Sequence, residues 1–285
     1  MLAVVIVTFS AEAAMLDACI ASVLAARGAD HVIVVDNGGQ AVVDAGVELI
    51  RPGRNLGFGG GANAGFRRAA ELGASEIALL NDDIEVDAGW LAPLLAALDT
   101  DQTVGAVQPK LLLAGADPAR VNSVGVAIGD DGAGSDIGFG EPDGPAFAAP
   151  RQIESFTGGA VLFRSQFLEA TGGFDESYFL YYEDVDLARR GTARGWAYQC
   201  VPASVVWHRV SASTSQLGDR ARYLQERNRL RFVFRYGDLG MIRRALWLSI
   251  RRLRWTPRRV HGRALAAGLT FAPAALHARL TARRR

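Results

Sequence analysis

Two acidic clusters stand at the ends of apolar runs in this chain. Asn81-Asp82-Asp83 follows the apolar segment Ile77–Leu80, and Glu183-Asp184-Val185-Asp186 follows Tyr181-Tyr182. Carboxylates beside an apolar core are costly unless a metal, a cation or a reaction uses them. One cluster suits a divalent cation and the other suits a proton acceptor. Together they fit the transfer of a group from a diphosphate-activated donor.

The first cluster has the composition of a magnesium or manganese site. These cations prefer oxygen ligands, often one or two carboxylates completed by substrate phosphates. Alternate residues of an extended segment share one side, so Asn81 and Asp83 point the same way and Asp83 is predicted as the better ligand. A strand-end acid that only caps a turn is the alternative. Two adjacent acids and an asparagine exceed what a turn needs.

Apolar runs alternate with helix-like segments along the first part of the chain. Four runs are predicted as buried strands: Val4–Phe9, His31–Gly38, Val47–Arg51 and Ile77–Leu80. A glycine-rich loop over 55–63 is predicted to lead into a helix near 64–72. This alternation predicts an α/β fold with one Rossmann-like, mainly parallel sheet and helices on both faces. Ligands of such sheets bind beyond the carboxyl ends of the strands, where Asp36, Asn55 and Asp83 are predicted to lie.

The middle of the chain is less regular. Residues 111–150 read as a hairpin and a long loop, and strand character resumes over 153–164. A helix is predicted over 183–194, followed by two strands over 196–201 and 205–208. Cys19 and Cys200 stand in no metal-ligand spacing, which indicates two reduced core cysteines of a cytosolic protein.

The charge of this 285-residue chain is polarised. Residues 1–219 carry 13 Lys and Arg against 28 Asp and Glu, whereas residues 220–285 carry 18 Arg against two acids. We therefore predict a first domain over 1–216 and an arginine-rich helical region over 217–285. Such asymmetry usually marks an anionic partner, either a membrane or a nucleic acid.

The arginine-rich region has the pattern of an amphipathic helix. Ile242, Leu246, Ile250 and Leu253 fall on one helical face, and arginines occupy much of the remainder,. This predicts a helix in the interface of an anionic membrane, and a basic face packed on the core domain is the alternative. Residues 264–276 are apolar but too short to span a bilayer. The first residues lack a basic leader, so we expect a cytoplasmic protein, peripheral on the inner face of the membrane.

Six motifs occur in a fixed order: Asp36 after a strand, Asn55–Phe58, Leu80–Asp83, Thr157–Ala160, Gly172–Glu176 and Tyr182–Leu187. In this set and order the chain resembles the family 2 glycosyltransferases, most of all the bacterial rhamnosyltransferase-type branch that builds cell-surface polysaccharides. The resemblance covers residues 3–235. It implies a GT-A fold, an inverting transfer, a nucleotide-sugar donor and Mg²⁺ or Mn²⁺ as cofactor.

The resemblance also implies roles on the donor side. It assigns nucleotide-sugar contacts to Thr8, Phe9, Asp36, Asn55, Gly57, Phe58, Asn81 and Asp82. Thr8 and Phe9 would border the base, and Asp36 would accept a hydrogen bond from its N3–H. The metal would be held by Asp83 and by His208, which in the family often ligates the metal or touches the diphosphate. Asn81 stands where many relatives have Asp, so cation affinity would rest mainly on Asp83.

On the acceptor side, the resemblance makes Asp184 the general base, with Glu183 as the second choice. Their neighbouring charges should raise one pKa, as a base requires. Acids that only favour a helix start are the alternative. Four further residues are predicted to line the acceptor: Gly158, Gly159, Phe174 and Asp175.

The substrates are inferred from the same resemblance. It favours L-rhamnose from dTDP-L-rhamnose, moved to a hydroxyl of a lipid-linked or growing cell-surface glycan. UDP-hexoses and UDP-galactofuranose remain alternative donors. A non-catalytic protein that binds an anionic surface or nucleic acid is the rival class. Because the sequence contains no known nucleic-acid-recognition motif, nucleic acid is not expected as a partner.

Overall fold

The computed structural model describes residues 1–9, 13–209, 212–254 and 257–273. These residues form two compact units. The first comprises 1–127, 136–179 and 183–213, and the second comprises 128–135, 180–182 and the chain from 214 onward. The second unit thus contains the predicted arginine-rich region together with two short segments from earlier in the chain.

Twelve strands are described: β1 (Leu2–Thr8), β2 (His31–Asp36), β3 (Glu48–Ile50), β4 (Glu76–Asn81), β5 (Ile84–Val86), β6 (Val104–Leu113), β7 (Val121–Ser123), β8 (Val126–Ile128), β9 (Gly134–Asp136), β10 (Arg151–Gln152), β11 (Ala160–Arg164) and β12 (Ala197–His208). The described α-helices are α1 (Ala13–Ala26), α2 (Gly57–Glu71), α3 (Leu91–Thr100), α4 (Ser165–Thr171), α5 (Glu183–Thr192), α6 (Ala212–Tyr236), α7 (Leu239–Arg252) and α8 (Arg258–Leu269). Short 3-10 helices cover Pro145–Phe147 and Glu176–Tyr178.

One large sheet organises the first unit. Its strand order is β10-β12-β6-β11-β4-β1-β2-β3, with β5 paired to β12 and β7 paired to β6. The half from β4 to β3 is parallel, as is the β6–β12 pair, while β11 runs antiparallel between β4 and β6. The predicted α/β fold is confirmed, with this antiparallel strand as an addition. Strands β8 and β9 form a separate hairpin.

Strand β1 is buried along its whole length, which explains its unbroken apolar sequence,. Val5 and Val7 pack with Phe66 of helix α2, whereas Val4 and Ile6 pack with helix α1 on the other face. Burying each such side chain contributes about 1.5–3 kcal/mol. Because helices cover both faces, ligands can reach this half of the sheet only at its edges.

Helix α2 starts earlier than the sequence predicted. Its first residue is Gly57, so much of the predicted glycine-rich loop is helical. A Cβ atom on Gly61 would lie 2.9 Å from Val7, and one on Gly65 would lie 2.2 Å from Val5. The glycines therefore allow the helix to approach strand β1 closely, and this packing offsets their poor helix propensity.

Two other boundaries also differ from the prediction. The strands predicted over 196–201 and 205–208 are one strand, β12, with a register irregularity between Val201 and Val205. The strand predicted over 153–164 begins only at Ala160. Phe156 lies in the core without strand geometry, which explains the apolar pattern there. Cys19 and Cys200 are buried free thiols.

Three helices form most of the described second unit. Helix α6 is interrupted at Gly218, where the backbone is non-helical. Leu230, Val233, Phe234 and Ala245 form a small core, against which Ile242 and Leu246 of α7 pack. Part of the apolar face predicted for a membrane is therefore used inside the unit. Among the described residues, no helix is long and apolar enough to cross a membrane.

Candidate active site

The predicted donor-side residues meet at one edge of the sheet. Strands β1, β2 and β4 are parallel, and their register pairs Thr8 with Asp36 and Val7 with Asn81. Their carboxyl ends therefore lie side by side, in the position where open α/β sheets bind ligands. This arrangement brings Thr8, Asp36 and the Asn81-Asp82-Asp83 cluster together.

Asp82 ties the turn after β4 to the end of β1. Its buried carboxylate accepts hydrogen bonds from the Thr8 hydroxyl and from the Phe9 N–H. Burial raises the pKa of Asp82 to about 6, and the charge of Asp83 adds to the increase while the two hydrogen bonds oppose it. Phe9 is 42% exposed next to this carboxylate, so its ring is available to a planar ligand.

Asp83 lies beside His208 because of strand pairing. Strand β5 pairs with the end of β12, opposing Ile84 to His208, and the Arg209 N–H donates to the Asp83 carbonyl at 2.9 Å. Nε2 of His208 is 3.1 Å from Oδ1 of Asp83. The two atoms are close but not aligned for a hydrogen bond, and Oδ1 is buried without a hydrogen-bond partner among the described residues.

Asn122 orients the ring of His208 relative to Asp83. Its Oδ1 lies 2.7 Å from Nδ1 of His208, so Nδ1 carries the proton that the amide oxygen accepts. Nε2 of a neutral ring then presents a lone pair toward the carboxylate of Asp83. Nε2 of His208 and Oδ1 of Asp83 are thus two electron-pair donors 3.1 Å apart, which a divalent cation could bind together. A further residue that orients the histidine, as Asn122 does here, is typical of metal sites.

The protein ligands for such a cation are few. Across the described ranges, no group of three or more His, Cys, Asp or Glu side chains is arranged around one point. Asp83 and His208 would therefore supply two ligands, and phosphate oxygens or waters would supply the others. This fits Mg²⁺ and Mn²⁺, which usually retain several non-protein ligands.

Asp36 organises the loop that follows β2. Oδ1 accepts the N–H groups of Gly38 and Gly39 at 2.9 and 2.7 Å, and Oδ2 accepts that of Ala41 at 2.7 Å. Nε of the half-exposed Arg51 is 3.7 Å from Oδ2. A carboxylate has about four acceptor positions. Three of these positions are used, so about one acceptor position, on Oδ2, remains for the N–H of a nucleotide base,.

Asn55, Gly57 and Phe58 form the start of helix α2. The Asn55 side chain accepts the Gly57 N–H at 2.8 Å, and Asn37 donates to the Gly57 carbonyl at 2.9 Å. A Cβ atom on Gly57 would lie 2.2 Å from the Phe179 carbonyl. Only glycine fits at this position, and the Phe58 N–H donates to that same carbonyl at 2.7 Å.

Asp184 is held by two backbone groups at the start of helix α5. Oδ2 accepts the Gly158 N–H at 3.0 Å and Oδ1 accepts the Val185 N–H at 2.8 Å. Burial raises the pKa of Asp184 to about 6, and the charge of Asp136 adds to this while both hydrogen bonds oppose it. The half-buried carboxylate is therefore ionised at neutral pH but remains basic enough to accept a proton,.

Asp184 contacts the residues just before strand β11, which pairs with the strand that precedes the Asp83 cluster. The Asn81 N–H donates to the Gly159 carbonyl at 2.9 Å, and Gly158 contacts Asp184. The β4–β11 pairing thus places Asn81 beside Gly159, next to the glycine that contacts the predicted base. A Cβ atom on Gly158 would meet the Phe58 ring at 2.9 Å, which explains the need for glycine.

The two other acids of helix α5 differ from Asp184. Glu183 is buried, and its Oε2 has no hydrogen-bond partner among the described residues. Burial and the charge of Asp184 raise the pKa of Glu183 well above its usual value. Asp186 is fully buried and accepts a hydrogen bond from Arg190 at 2.7 Å, which is a structural ion pair.

The backbone just before helix α5 is strained. Phe179, Tyr181 and Tyr182 all have positive φ, at 70°, 69° and 73°. Aromatic residues seldom adopt this conformation, and each instance costs on the order of 1–3 kcal/mol. Such strain persists only where surrounding contacts impose it, and it is commonly found next to functional residues.

The remaining residues predicted for the acceptor side have structural contacts. Phe174 is buried in an aromatic cluster with Phe66 and Phe163, so its ring offers no surface to a sugar. Asp175 caps the short helix Glu176–Tyr178 by accepting the Ser177 N–H at 3.1 Å. Gly158 and Gly159 lie beside Asp184 and Asn81.

Sequence reasoning missed several site residues. Asn122 lies in a short strand without an acidic neighbour, so its sequence surroundings do not mark it as a site residue. Asn37 directly follows Asp36 and bridges β2 to helix α2. Asp136 lies in the Gly- and Asp-rich segment that was predicted as a hairpin, and its charge reaches Asp184.

Comparison with known proteins is consistent with this geometry. The family described as Glycosyl transferase family 2 matches residues 3–111. The N-acetylglucosaminyl-diphospho-decaprenol L-rhamnosyltransferase of Mycobacterium tuberculosis is 29% identical over 231 residues, which cover 71% of this chain and 73% of that protein.

Solved structures share the fold. GalNAc-T7 with UDP, GalNAc and Mn²⁺ superposes with a TM-score of 0.64 at 16% identity, over 84% of this chain and 48% of that chain. The mannosyltransferase PcManGT from Pyrobaculum calidifontis, in complex with GDP-Man and Mn²⁺, gives a TM-score of 0.55 at 16% identity. This superposition covers 99% of this chain and 79% of that chain. These similarities confirm the predicted GT-A fold. With the family match, the similarity to the rhamnosyltransferase and the acidic clusters at the sheet edge, the chain belongs to glycosyl transferase family 2.

Proposed function

We propose that this protein is an inverting, cation-dependent glycosyltransferase that moves L-rhamnose from dTDP-L-rhamnose to a hydroxyl of a lipid-linked or growing cell-surface glycan. The observation that carries the proposal is the pair formed by Asp83 and His208. Oδ1 of Asp83 is buried, has no hydrogen-bond partner among the described residues, and lies 3.1 Å from Nε2 of His208. A cation that binds a diphosphate would fit between them.

Asp83 and His208 would hold Mg²⁺ or Mn²⁺ together with oxygens of the donor diphosphate. A bound cation would neutralise the charge that develops on the departing diphosphate, as a Lewis acid. The structures of GalNAc-T7 and PcManGT contain Mn²⁺, which is compatible with this role. Phe9, Asp36 and Asn55 would contact the nucleotide, with Thr8 and Asp82 supporting the end of β1.

Asp184 would take the proton of the acceptor hydroxyl as that oxygen attacks the anomeric carbon. Inversion requires the attack to come from the face opposite the diphosphate. The N–H groups of Gly158 and Val185 fix both carboxylate oxygens, so the base keeps one orientation. Each oxygen retains a lone pair for a hydroxyl within hydrogen-bond distance. The buried Glu183 would remain protonated beside it.

The sugar and the acceptor rest on similarity to relatives. The M. tuberculosis relative is named for transfer of L-rhamnose to N-acetylglucosaminyl-diphospho-decaprenol. We infer a donor and an acceptor of this class for the present chain. Its acceptor would then carry a long polyprenyl chain, which requires the enzyme to work at a membrane surface.

The exposed side of helix α7 supports binding to the inner face of the membrane. Leu239, Trp247 and Ile250 are 77%, 58% and 56% exposed. Arg243 and Arg251 are also exposed on this side, and the Arg251 guanidinium lies 4.6 Å from the centroid of the Trp247 ring. Apolar and aromatic side chains among arginines suit an anionic lipid interface.

Thermal unfolding with a panel of nucleotide sugars tests the proposal. The panel contains dTDP-L-rhamnose, a UDP-hexose and UDP-galactofuranose, each with and without Mn²⁺, for wild type and Asp83→Ala. A donor at 100 times its Kd should raise the melting temperature by about 5–10 °C. We expect the increase with dTDP-L-rhamnose, only with the cation, and not in Asp83→Ala. If a different donor raised the melting temperature, that donor would take the place of dTDP-L-rhamnose in the proposal. If no donor raised it, the proposed function would be contradicted.

A further inference from the structure

The strained backbone of residues 179–182 must be stabilised by contacts with other segments of the chain. Three of these four residues, Phe179, Tyr181 and Tyr182, are aromatic and have positive φ angles. Among the described non-glycine residues, the other positive φ angle is at Arg27. L-residues with a bulky side chain do not favour this conformation. The contacts that maintain it therefore determine where the chain enters helix α5.

Asn228 of helix α6 supplies such contacts. Its Nδ2 donates to the carbonyl oxygens of Leu180 and Tyr181, each at 2.8 Å. Its Oδ1 accepts a hydrogen bond from Nε of Arg227 at 2.8 Å, which fixes the orientation of the amide,. Asn228 is fully buried. Both protons of one amide group are thus used to hold two consecutive peptide groups.

Tyr182 anchors the end of the same segment. Its hydroxyl donates to the Gly132 carbonyl at 2.9 Å and accepts the Gly134 N–H at 3.2 Å. Its ring centroid is 6.0 Å from that of Phe232, one helical turn after Asn228. Residues 180–182 therefore have their anchors within the second, arginine-rich unit.

The segment continues directly into the proposed base. Glu183 follows Tyr182, and Asp184 lies in the first turn of helix α5. We propose that Asn228 is a positioning residue, which holds segment 180–182, with its left-handed Tyr181 and Tyr182, and thereby fixes the backbone that leads into Asp184. This inference rests on the proposed function.

The test compares Asn228→Ala with Ser249→Ala in the 285-residue chain. Ser249 is a suitable control because it is also buried in the second unit, where its hydroxyl bonds to the Ala245 carbonyl and to Glu226. Rhamnose transfer from dTDP-L-rhamnose to a synthetic polyprenyl-diphosphate-linked N-acetylglucosamine gives kcat and KM. Hydrogen exchange of peptides covering 179–186 reports the order of the turn.

We expect Asn228→Ala to lower kcat at least about tenfold, because small displacements of a reacting group are costly. The KM of the donor should stay within about twofold, because the donor-side residues are untouched. Exchange over 179–186 should become faster. Ser249→Ala should leave both the kcat and this exchange close to those of wild type. Adding Tyr181→Gly to Asn228→Ala should restore part of the kcat, because glycine adopts positive φ without steric cost.

Three outcomes would overturn the inference while the proposed function stands. They are an active wild type with an equally active Asn228→Ala, a loss of kcat of the same size in Ser249→Ala, and unchanged exchange over 179–186. A wild type that transfers no sugar from any donor of the panel overturns the proposed function instead, and this inference with it.

Discussion

Oδ1 of Asn122 lies 2.7 Å from Nδ1 of His208 and so determines which nitrogen of the ring can face Asp83. Neither residue belongs to an acidic motif, and 86 positions separate them in the sequence. The strands β7 and β12 that carry them both pair with β6.

Replacing Asn122 should therefore weaken cation binding without touching a ligand. Asn122→Ala removes the acceptor that keeps the proton on Nδ1, and second-layer partners of this kind typically contribute 10–100-fold in affinity. Titration of Mn²⁺ in the presence of dTDP, followed by electron paramagnetic resonance, measures the effect. Ser204→Ala is the control, because Ser204 is buried on the strand that carries His208 but bonds to the Trp90 carbonyl. Equal Mn²⁺ affinity in both variants would contradict the assignment.

Asp184→Asn should abolish most transfer and keep donor binding. The amide cannot accept the hydroxyl proton, so we expect turnover to fall at least about 100-fold, with the thermal shift by donor and Mn²⁺ retained. Asp186→Asn is the matched variant on the same helix. It breaks the ion pair with Arg190 and should lower the melting temperature, with a smaller effect on turnover. If Asp184→Asn kept the turnover of wild type, Asp184 could not be the general base.

Transfer should depend on pH through the ionisation of Asp184. Its pKa is raised to about 6, and only the ionised form accepts a proton. The rate at saturating donor should therefore rise with pH, with its midpoint at about 6, and level off at higher pH. Asp136→Asn removes a charge that raises this pKa, so the midpoint should move to lower pH. A midpoint that stays in place would exclude the influence of Asp136.

Glu183 should make the folded protein less stable as pH increases. Its pKa in the folded state is well above its usual value of 4.5, so the native state binds more protons than the unfolded state above pH 4.5. The free energy of unfolding then falls as pH rises from 4.5 toward the folded pKa. Glu183→Gln should flatten this dependence in urea unfolding at pH 5 and pH 8. Glu169→Gln, at an exposed position, should retain the slope of wild type.

Removing the exposed apolar side chains of α7 should release the protein from anionic vesicles. Trp247→Ala combined with Ile250→Ala should lower the partition coefficient at least about tenfold, since each buried side chain contributes about 1.5–3 kcal/mol. Sedimentation with phosphatidylglycerol vesicles measures this. Val42→Ala is the control, because Val42 is 80% exposed in the first unit. Equal sedimentation of both variants would locate the membrane contact elsewhere.

Local patterns predicted much of the fold and part of the site. Strand β1 is buried on both faces, so its sequence is continuously apolar and its position could be read directly. The same applies to β2 and β4, and parallel strands brought Asp36 and Asp83 to one edge as expected. Helix α2 was misplaced because local propensity opposes glycine in helices, whereas the packing against Val5 and Val7 requires it.

The sequence by itself determined the family, the acidic clusters and the polarised charge, because residue type and spacing along the chain carry these features. Only the tertiary structure decided which side chains act together. Strand register brought His208 to Asp83 and Asn122 to His208. Helix packing used Ile242 and Leu246 inside the second unit and left Trp247 exposed. The physical reason is that periodicity is local, whereas these contacts depend on the pairing and close packing of segments far apart in the chain.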